Sequence, residues 1–397
     1  MKKVLIASTA LVAAGLMTSG TANAAEKIKL NLGGYSKWWV VGAWQDSSFE
    51  AQAAVGGSGT GYSNVDIKGD NEVFFGGSTK LDNGLEVGID IQLEAGGGSE
   101  TSTGGDTIDE SYIWISGGFG KVIVGTENNG VYLLHVAAPD VAGNWAEGGV
   151  LAGGNGAAGA NNAVVAPATV SGFAGGNGTA PRIDNDAEKI TYVAPSFYGL
   201  TLGASYIPNA GTAANKGEDN LATPSSDEVM GVGALYANTF GGVGVKLSTG
   251  YIWGSGGSVT NGDFTQFTAG GQLSYAGFTV GGSYRRDLAD DKGGDQGAAG
   301  GTAANVEGWD AGISYATGPY AVSFSYFQSK AEGVADNAVE DQITIWQVSG
   351  KYNLSAGVDI LATAGWAEFD DEGQKTATGD ANHNEGWAVM TGLSLAF

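Results

Sequence analysis

The chain has 397 residues, carries 42 acidic side chains against 18 basic ones for a formal net charge of −24, and contains no cysteine. That balance excludes electrostatic binding to nucleic acid, and the absence of thiols excludes disulfide scaffolds and thiolate metal sites. Glycine is abundant (70), proline scarce (7) and aromatic residues make up 10 %, which fits a large β-structure with tight turns rather than a collagen or a disordered linker.

Taken in chain order, Lys2 and Lys3 precede an apolar run from Val4 to Met17, and Ala22, Asn23 and Ala24 follow as small residues. This is the layout of a secretory signal, and the run is shorter than the ~20 residues of a spanning helix. The expectation is a removed signal over 1–24 and a mature chain from Ala25. No other stretch reaches about 18 uninterrupted apolar residues, so no helical membrane span is expected.

Strand-like segments then recur near 26–44, 67–81, 85–95, 107–116, 121–126, 186–195, 200–208, 227–239, 243–254, 263–275, 278–287, 306–317, 320–331, 338–353, 358–369 and 384–397. Leu85, Val87, Ile89, Ile91 and Leu93 alternate with Glu86, Gly88, Asp90 and Gln92 in the clearest of them, the period of a strand with two different faces. The connections fall into two classes. Short links at 82–84, 117–120, 196–199, 240–242, 276–277 and 318–319 alternate with long ones, of which 127–185 is the longest.

Such alternation belongs to an up-and-down sheet whose two ends meet different surroundings, as in outer-membrane barrels. A soluble sandwich would bury its apolar face against a second sheet and has no need of two classes of link. The strands, at about 10–13 residues, match the ~9–11 that cross a bilayer when tilted. Trp253, Tyr275, Trp309, Tyr315, Trp366 and Phe397 fall at strand ends, where interfacial girdles sit. The reading is an all-β fold, a 16-stranded antiparallel transmembrane β-barrel. In the final segment Trp387, Val389, Thr391, Leu393 and Leu395 alternate with small residues, Met390 excepted. That strand is expected to close the barrel against the first, near Ile28–Trp44, with Phe397 as an interfacial anchor.

With "ISGGFGKVIVGTENN" at 115–129, "AEKITYVAPSFYGLTLGASY" at 187–206 and the closing aromatic strand, the chain resembles the general bacterial porins of the Gram-negative outer membrane. In the second stretch the resemblance lies in Tyr192, Pro195, Phe197 and Gly199. It implies a homotrimer of water-filled barrels among membrane lipid and lipopolysaccharide. It also implies that Leu393, Leu395 and Phe397 belong to a signal read by the barrel assembly machinery. A third long loop folded inward is implied for 127–185, making Glu127, Asp140, Glu147, Asp184 and Asp186 candidates for the acidic side of a constriction. "APDVAGNW" at 138–145 departs from the proline–acid–aromatic pattern of that loop, with only Asp140 keeping its place.

Charged rings set selectivity in such a pore. Alternation turns Glu86, Asp90, Glu94, Asp310 and Asp359 inward, together with Lys29, Lys80, Lys189, Lys246, Arg285 and Lys351. Arg182, Arg285 and Arg286 are the only arginines, so a weak cation preference is expected. Carboxylates such as Glu218, Asp219, Asp290, Asp291, Asp370 and Asp371 lie in loops, where solvation is the plain reading. Surface-bound calcium is the sharper one, and no other cofactor is expected. The G-x-G-x-x-G at 154–159 follows no strand and opens no helix, which marks a chance match. His135 and His383 lie in different loops. His135 could pair with Asp140, but neither histidine has a nucleophile elbow or HExxH motif beside it, so no enzyme is expected. The function implied is passive diffusion of ions and small hydrophilic solutes. The alternatives are a surface anchor, adhesin or receptor, a soluble glycan-binding protein, and a sugar-specific barrel using Trp38, Trp39 and Trp44.

Overall fold

The computed structural model describes residues 27–52, 63–95, 108–143, 151, 163–167, 170, 172–173, 178–181, 187–210, 227–255, 263–289, 305–332, 340–371 and 383–397. The strands are β1 (Asn31–Gln45), β2 (Val65–Lys80), β3 (Glu86–Glu94), β4 (Glu110–Gly117), β5 (Gly120–Gly125), β6 (Lys189–Val193), β7 (Leu200–Asn209) and β8 (Asp227–Phe240). They continue as β9 (Val243–Ser255), β10 (Phe264–Tyr275), β11 (Phe278–Ala289), β12 (Asn305–Thr317), β13 (Tyr320–Glu332), β14 (Glu340–Ser355), β15 (Val358–Asp370) and β16 (His383–Ala396). Among the described residues, two short helices, α1 (Ser47–Gln52) and α2 (Gly130–Leu133), lie in the connections.

Every strand pairs antiparallel with its sequence neighbours, and β16 pairs with β1, giving a closed barrel. The closing register runs from Tyr35↔Ala396 to Gln45↔Gly386. It is extended by a reciprocal pair of backbone bonds between Gly34 and Phe397, each 3.1 Å. Closure leaves no sheet edge, which is what a strand-built protein needs where lipid supplies no hydrogen-bond partner.

Alternation sorts the side chains onto two faces. Leu247, Val322, Val348, Val389 and Leu393 point outward and are exposed, whereas Ser248, Ser323, Gln347, Ser349 and Met390 point the other way and are buried. Met390, the large residue among the small ones of β16, packs with Trp39, Val41, Leu361 and Leu151 on the inner face. The outward aromatics form two belts. Phe278 stacks near Tyr315 (4.5 Å) and Tyr320 on Tyr352 (4.9 Å) beside the short turns. Trp346 meets Trp387 (4.7 Å) and Trp309 meets Tyr326 (4.9 Å) toward the long connections. Amphipathic rings favour such positions at the two membrane interfaces.

Strand length runs from 5 residues in β6 to 16 in β2 and β14, and β4 and β6 are shorter than the segments expected at 107–116 and 186–195. The short strands flank the connection that leaves β5. Gly125 there has φ of 137° and lies against the Ser111 and Tyr112 backbone, so the chain turns off the wall at a position closed to a side chain.

Deleting Phe397 removes both bonds to Gly34, and the barrel is expected to lose about 2 kcal/mol in urea-driven unfolding from lipid vesicles. Phe397→Ala keeps the backbone pair and should lose clearly less.

Candidate functional site

The connection after β5 runs across the inner face of the barrel. It begins in α2, capped by the Asn129 side chain, which accepts from the N–H groups of Val131 and Tyr132 at 2.9 Å each. Such a cap satisfies donors that a helix start leaves open. Gly130 N–H donates to Ser205 Oγ of β7 (2.8 Å), Val136 N–H to Ser248 Oγ of β9 (2.9 Å) and Ala138 N–H to Asp310 Oδ1 of β12 (2.8 Å). Val141 N–H donates to Ser323 Oγ (3.1 Å), and Ser325 Oγ donates to the Pro139 carbonyl (2.8 Å), both on β13. Farther along, Val165 N–H donates to Gln45 Oε1 of β1 (3.0 Å) and its carbonyl accepts from Asn384 Nδ2 of β16 (2.7 Å).

One segment that touches inner-face side chains from β7 round to β1 can lie only inside the cylinder. Wall glycines make room for it. A Cβ on Gly250 would collide with the Val131 side chain, and one on Gly270 with the Val136 carbonyl.

A polar cluster pins the return of the loop. Thr179 Oγ1 donates to Asp310 Oδ2 (2.9 Å), and Ser283 Oγ donates to the same oxygen (2.5 Å). The His135 ring sits between Thr179 Oγ1 at Nε2 (2.9 Å) and Thr268 Oγ1 at Nδ1 (3.1 Å). Because the Thr179 proton goes to Asp310, its oxygen accepts from Nε2–H. Thr268 Oγ1, beside Nδ1, also donates toward the Tyr284 carbonyl (3.1 Å) and the Thr179 carbonyl (3.3 Å). Burial, reinforced by the Arg285 charge, lowers the His135 pKa to about 4. The His135–Asp140 pairing is thus replaced: Asp140 Oδ1 instead accepts from Ala142 N–H (3.1 Å).

Arg285 faces inward but is fully buried. It forms a two-pronged pair with Asp287 (2.9 and 2.6 Å), donates to the Ala180 carbonyl (2.8 Å) and lies 4.5 Å from the Phe173 ring centre. It anchors the loop to β11.

The wall from β1 to β5 carries a different chemistry. Register with the inward Tyr35, Lys37 and Trp39 turns Glu72, Asp70 and Lys68 of β2 into the lumen. The same accounting turns Glu94, Asp90 and Glu86 of β3 inward, then Glu110 of β4 and Lys121 of β5. Tyr35 Oη lies 3.0 Å from Asp70 and 2.5 Å from Glu72, and Lys37 Nζ is 3.2 Å from Asp70. Glu110 accepts from Gln92 and from Asn128, each at 2.8 Å. Glu127, at the root of the loop, hydrogen-bonds to Tyr112 on this same wall.

Of the other sequence-derived candidates, Lys189 and Lys246 face inward on β6 and β9. Glu147, Arg182, Asp184 and Asp186 lie outside the described residues, as do residues 1–24 and the glycine motif at 154–159. Trp38, Trp39 and Trp44 form no common track. Trp38 and Trp44 are exposed on the outer face, and Trp39 is buried inside. Sequence reasoning passed over Asp66, Lys68, Asp70 and Glu72, whose spacing of two already places four charges on one face of β2.

The Gram-negative porin family matches residues 7–372 of the chain. No curated protein sequence matches it. Among solved structures, an anion-selective porin from Comamonas acidovorans superposes with a TM-score of 0.61 at 16 % identity, covering 94 % of this chain and 100 % of that one. The outer membrane channel DcaP of Acinetobacter baumannii gives 0.59 at 11 % identity, covering 93 % and 97 %. OmpT of Vibrio cholerae, an outer membrane protein in a trimer form, gives 0.56 at 12 % identity, covering 94 % and 100 %. These likenesses carry the fold, and the family match carries the membership. A closed barrel with an apolar exterior, a polar interior and a loop docked within it belongs to a chain of the Gram-negative porin family, an outer-membrane channel.

Proposed function

We propose that this channel passes ions and small hydrophilic solutes by general diffusion with a weak preference for cations. The carrying observation is the asymmetry of the lumen. The loop covers inner-face residues from β7 round to β1. Among the described residues, the wall from β1 to β5 turns Asp66, Asp70, Glu72, Glu86, Asp90, Glu94 and Glu110 inward against Lys37, Lys68, Lys80 and Lys121. Glu72, Asp90, Glu110 and Lys68 are buried, and Asp66, Asp70, Glu86 and Glu94 stay at least partly open. Fixed carboxylates along an aqueous path raise the local concentration of cations. Arg285, neutralised by Asp287 beneath the loop, adds little positive field to that path.

In this reading Glu127 and Asp140 flank the narrow zone from the loop, with Glu147, Arg182, Asp184 and Asp186 in the same segment and Lys189 and Lys246 as its basic counterparts. Export through a signal over 1–24 and assembly as a trimer belong to the same proposal. Trimer formation is supported by the short strands β4–β6 beside an apolar outer groove lined by Val87, Ile89, Ile113, Val122 and Val124.

In a planar bilayer under a potassium chloride gradient, the reversal potential should carry the sign of potassium preference, and Asp70→Asn with Glu86→Gln should reduce the permeability ratio by about twofold. A chloride preference in the unmodified channel would overturn the proposal. Gly270→Val pushes the loop off the wall at Val136, so single-channel conductance and open-channel noise should both rise.

Acidification tests the docking of His135. Undocked, its ring takes up a proton near its ordinary pKa of about 6.5; docked, it does so only near 4. Docking is therefore at full strength above the first value and weakens as pH falls toward the second. Current interruptions should grow across that window in the unmodified channel, and His135→Gln should show a smaller change there.

A further inference from the structure

We propose that Glu368, Asp370 and His383 form a binding site for a divalent first-row transition-metal ion on the outer rim of the barrel. The three side chains stand on adjacent strands. Asp370 of β15 is directly opposite His383 of β16, and Glu368, two residues before Asp370, is opposite Glu385. All four share the outward face with Trp366 and Trp387, which are themselves cross-strand partners. One carboxylate oxygen from Glu368, one from Asp370 and one ring nitrogen of His383 all lie within 4.8 Å of one another. His383 Nδ1 is 2.5 Å from Asp370 Oδ1. Donors held that closely need only small side-chain rotations to meet an ion at about 2.0–2.2 Å.

Position and donor chemistry together define the ligand. The site lies one strand repeat beyond the tryptophan belt formed by Trp346, Trp366 and Trp387, on the side of the long connections. It is therefore above the hydrocarbon and at the level of lipid headgroups. Both strands are locked in the closed sheet, so the metal would join two rigid supports rather than order a loop. Calcium and magnesium take all-oxygen shells. An imidazole with two carboxylates instead selects zinc, nickel or copper, with copper the tightest. Asp370 is partly open to solvent, its side chain 44 % exposed against 15 % for His383. Water or an external phosphate can therefore complete the coordination shell from the headgroup side.

The experiment uses the full chain, folded in detergent and free of any histidine tag. Calorimetric titration with zinc should give one saturable site per chain. Copper should quench the tryptophan emission, and prior saturation with excess zinc should weaken that quenching by competition. His383→Gln should weaken zinc binding by more than about tenfold, with Glu368→Gln acting in the same direction and His135→Gln leaving it unchanged. Retention of the folded, heat-modifiable band on gels shows that each variant still forms the barrel. Zinc binding unaffected by His383→Gln, abolished by His135→Gln, or displaced equally by calcium would overturn the proposal.

Discussion

In hydrocarbon a backbone N–H or C=O group without a partner costs several kcal/mol, and nearly every feature of this chain answers to that constraint. Outside, it demands a sheet with no edges, which the pairing of β16 on β1 supplies down to the bonds between Gly34 and Phe397. Inside, the same rule applies to the loop, whose peptide groups lie against a packed wall. Ser205, Ser248, Asp310, Ser323 and Gln45 each present an oxygen to a loop N–H. The inner face is thus polar for two separate reasons. One half solvates a path for ions, and the other satisfies a piece of backbone.

The two halves have different electrostatic consequences. Under the loop, charges are held locally: Arg285 is paired with Asp287, and Asp310 is solvated by two hydroxyl donors and one amide donor. On the wall from β1 to β5, charges stand in mixed rows along β2 and β3, with Lys37 and Asp70 paired and partly open and Glu72 buried against the Tyr35 hydroxyl. Total charge is therefore a poor guide to the field along the path. Where each charge sits relative to the loop decides what it contributes.

Much of the barrel was legible from period and punctuation. Segments such as Leu85–Leu93 announce their faces by alternation, and links such as 276–277 and 318–319 are too short for anything but adjacent antiparallel strands. The inward orientation of Asp90, Glu94, Asp310 and Lys351 follows from the same period. What alternation cannot read is which inward residues the loop covers. Arg285 and Asp90 look alike on that criterion and both are buried, yet Arg285 lies beneath Ala180 and Phe173 while Asp90 sits on the opposite wall. The partners of His135 were hidden for a similar reason. Thr179 and Thr268 are separated by 89 residues, and only closure of the barrel brings them to the same ring. The shortness of β5 was legible at 121–126, whereas β4 and β6 are shorter than the segments expected at 107–116 and 186–195.

The glycines beneath the loop divide the barrel's freedom to vary. Along Gly203, Gly233, Gly250 and Gly270 the wall has no room for even a methyl group without moving the loop, so substitution there propagates into the shape of the opening. Along β2 and β3 the inward carboxylates and lysines are held instead by side-chain partners of their own wall, which meets the loop at its root where Gln92 and Asn128 both donate to Glu110. The loop's footprint and the charged rows of β2 and β3 therefore lie mainly on different sides of one cylinder, so a substitution at the first acts through the position of the loop and one at the second through local charge.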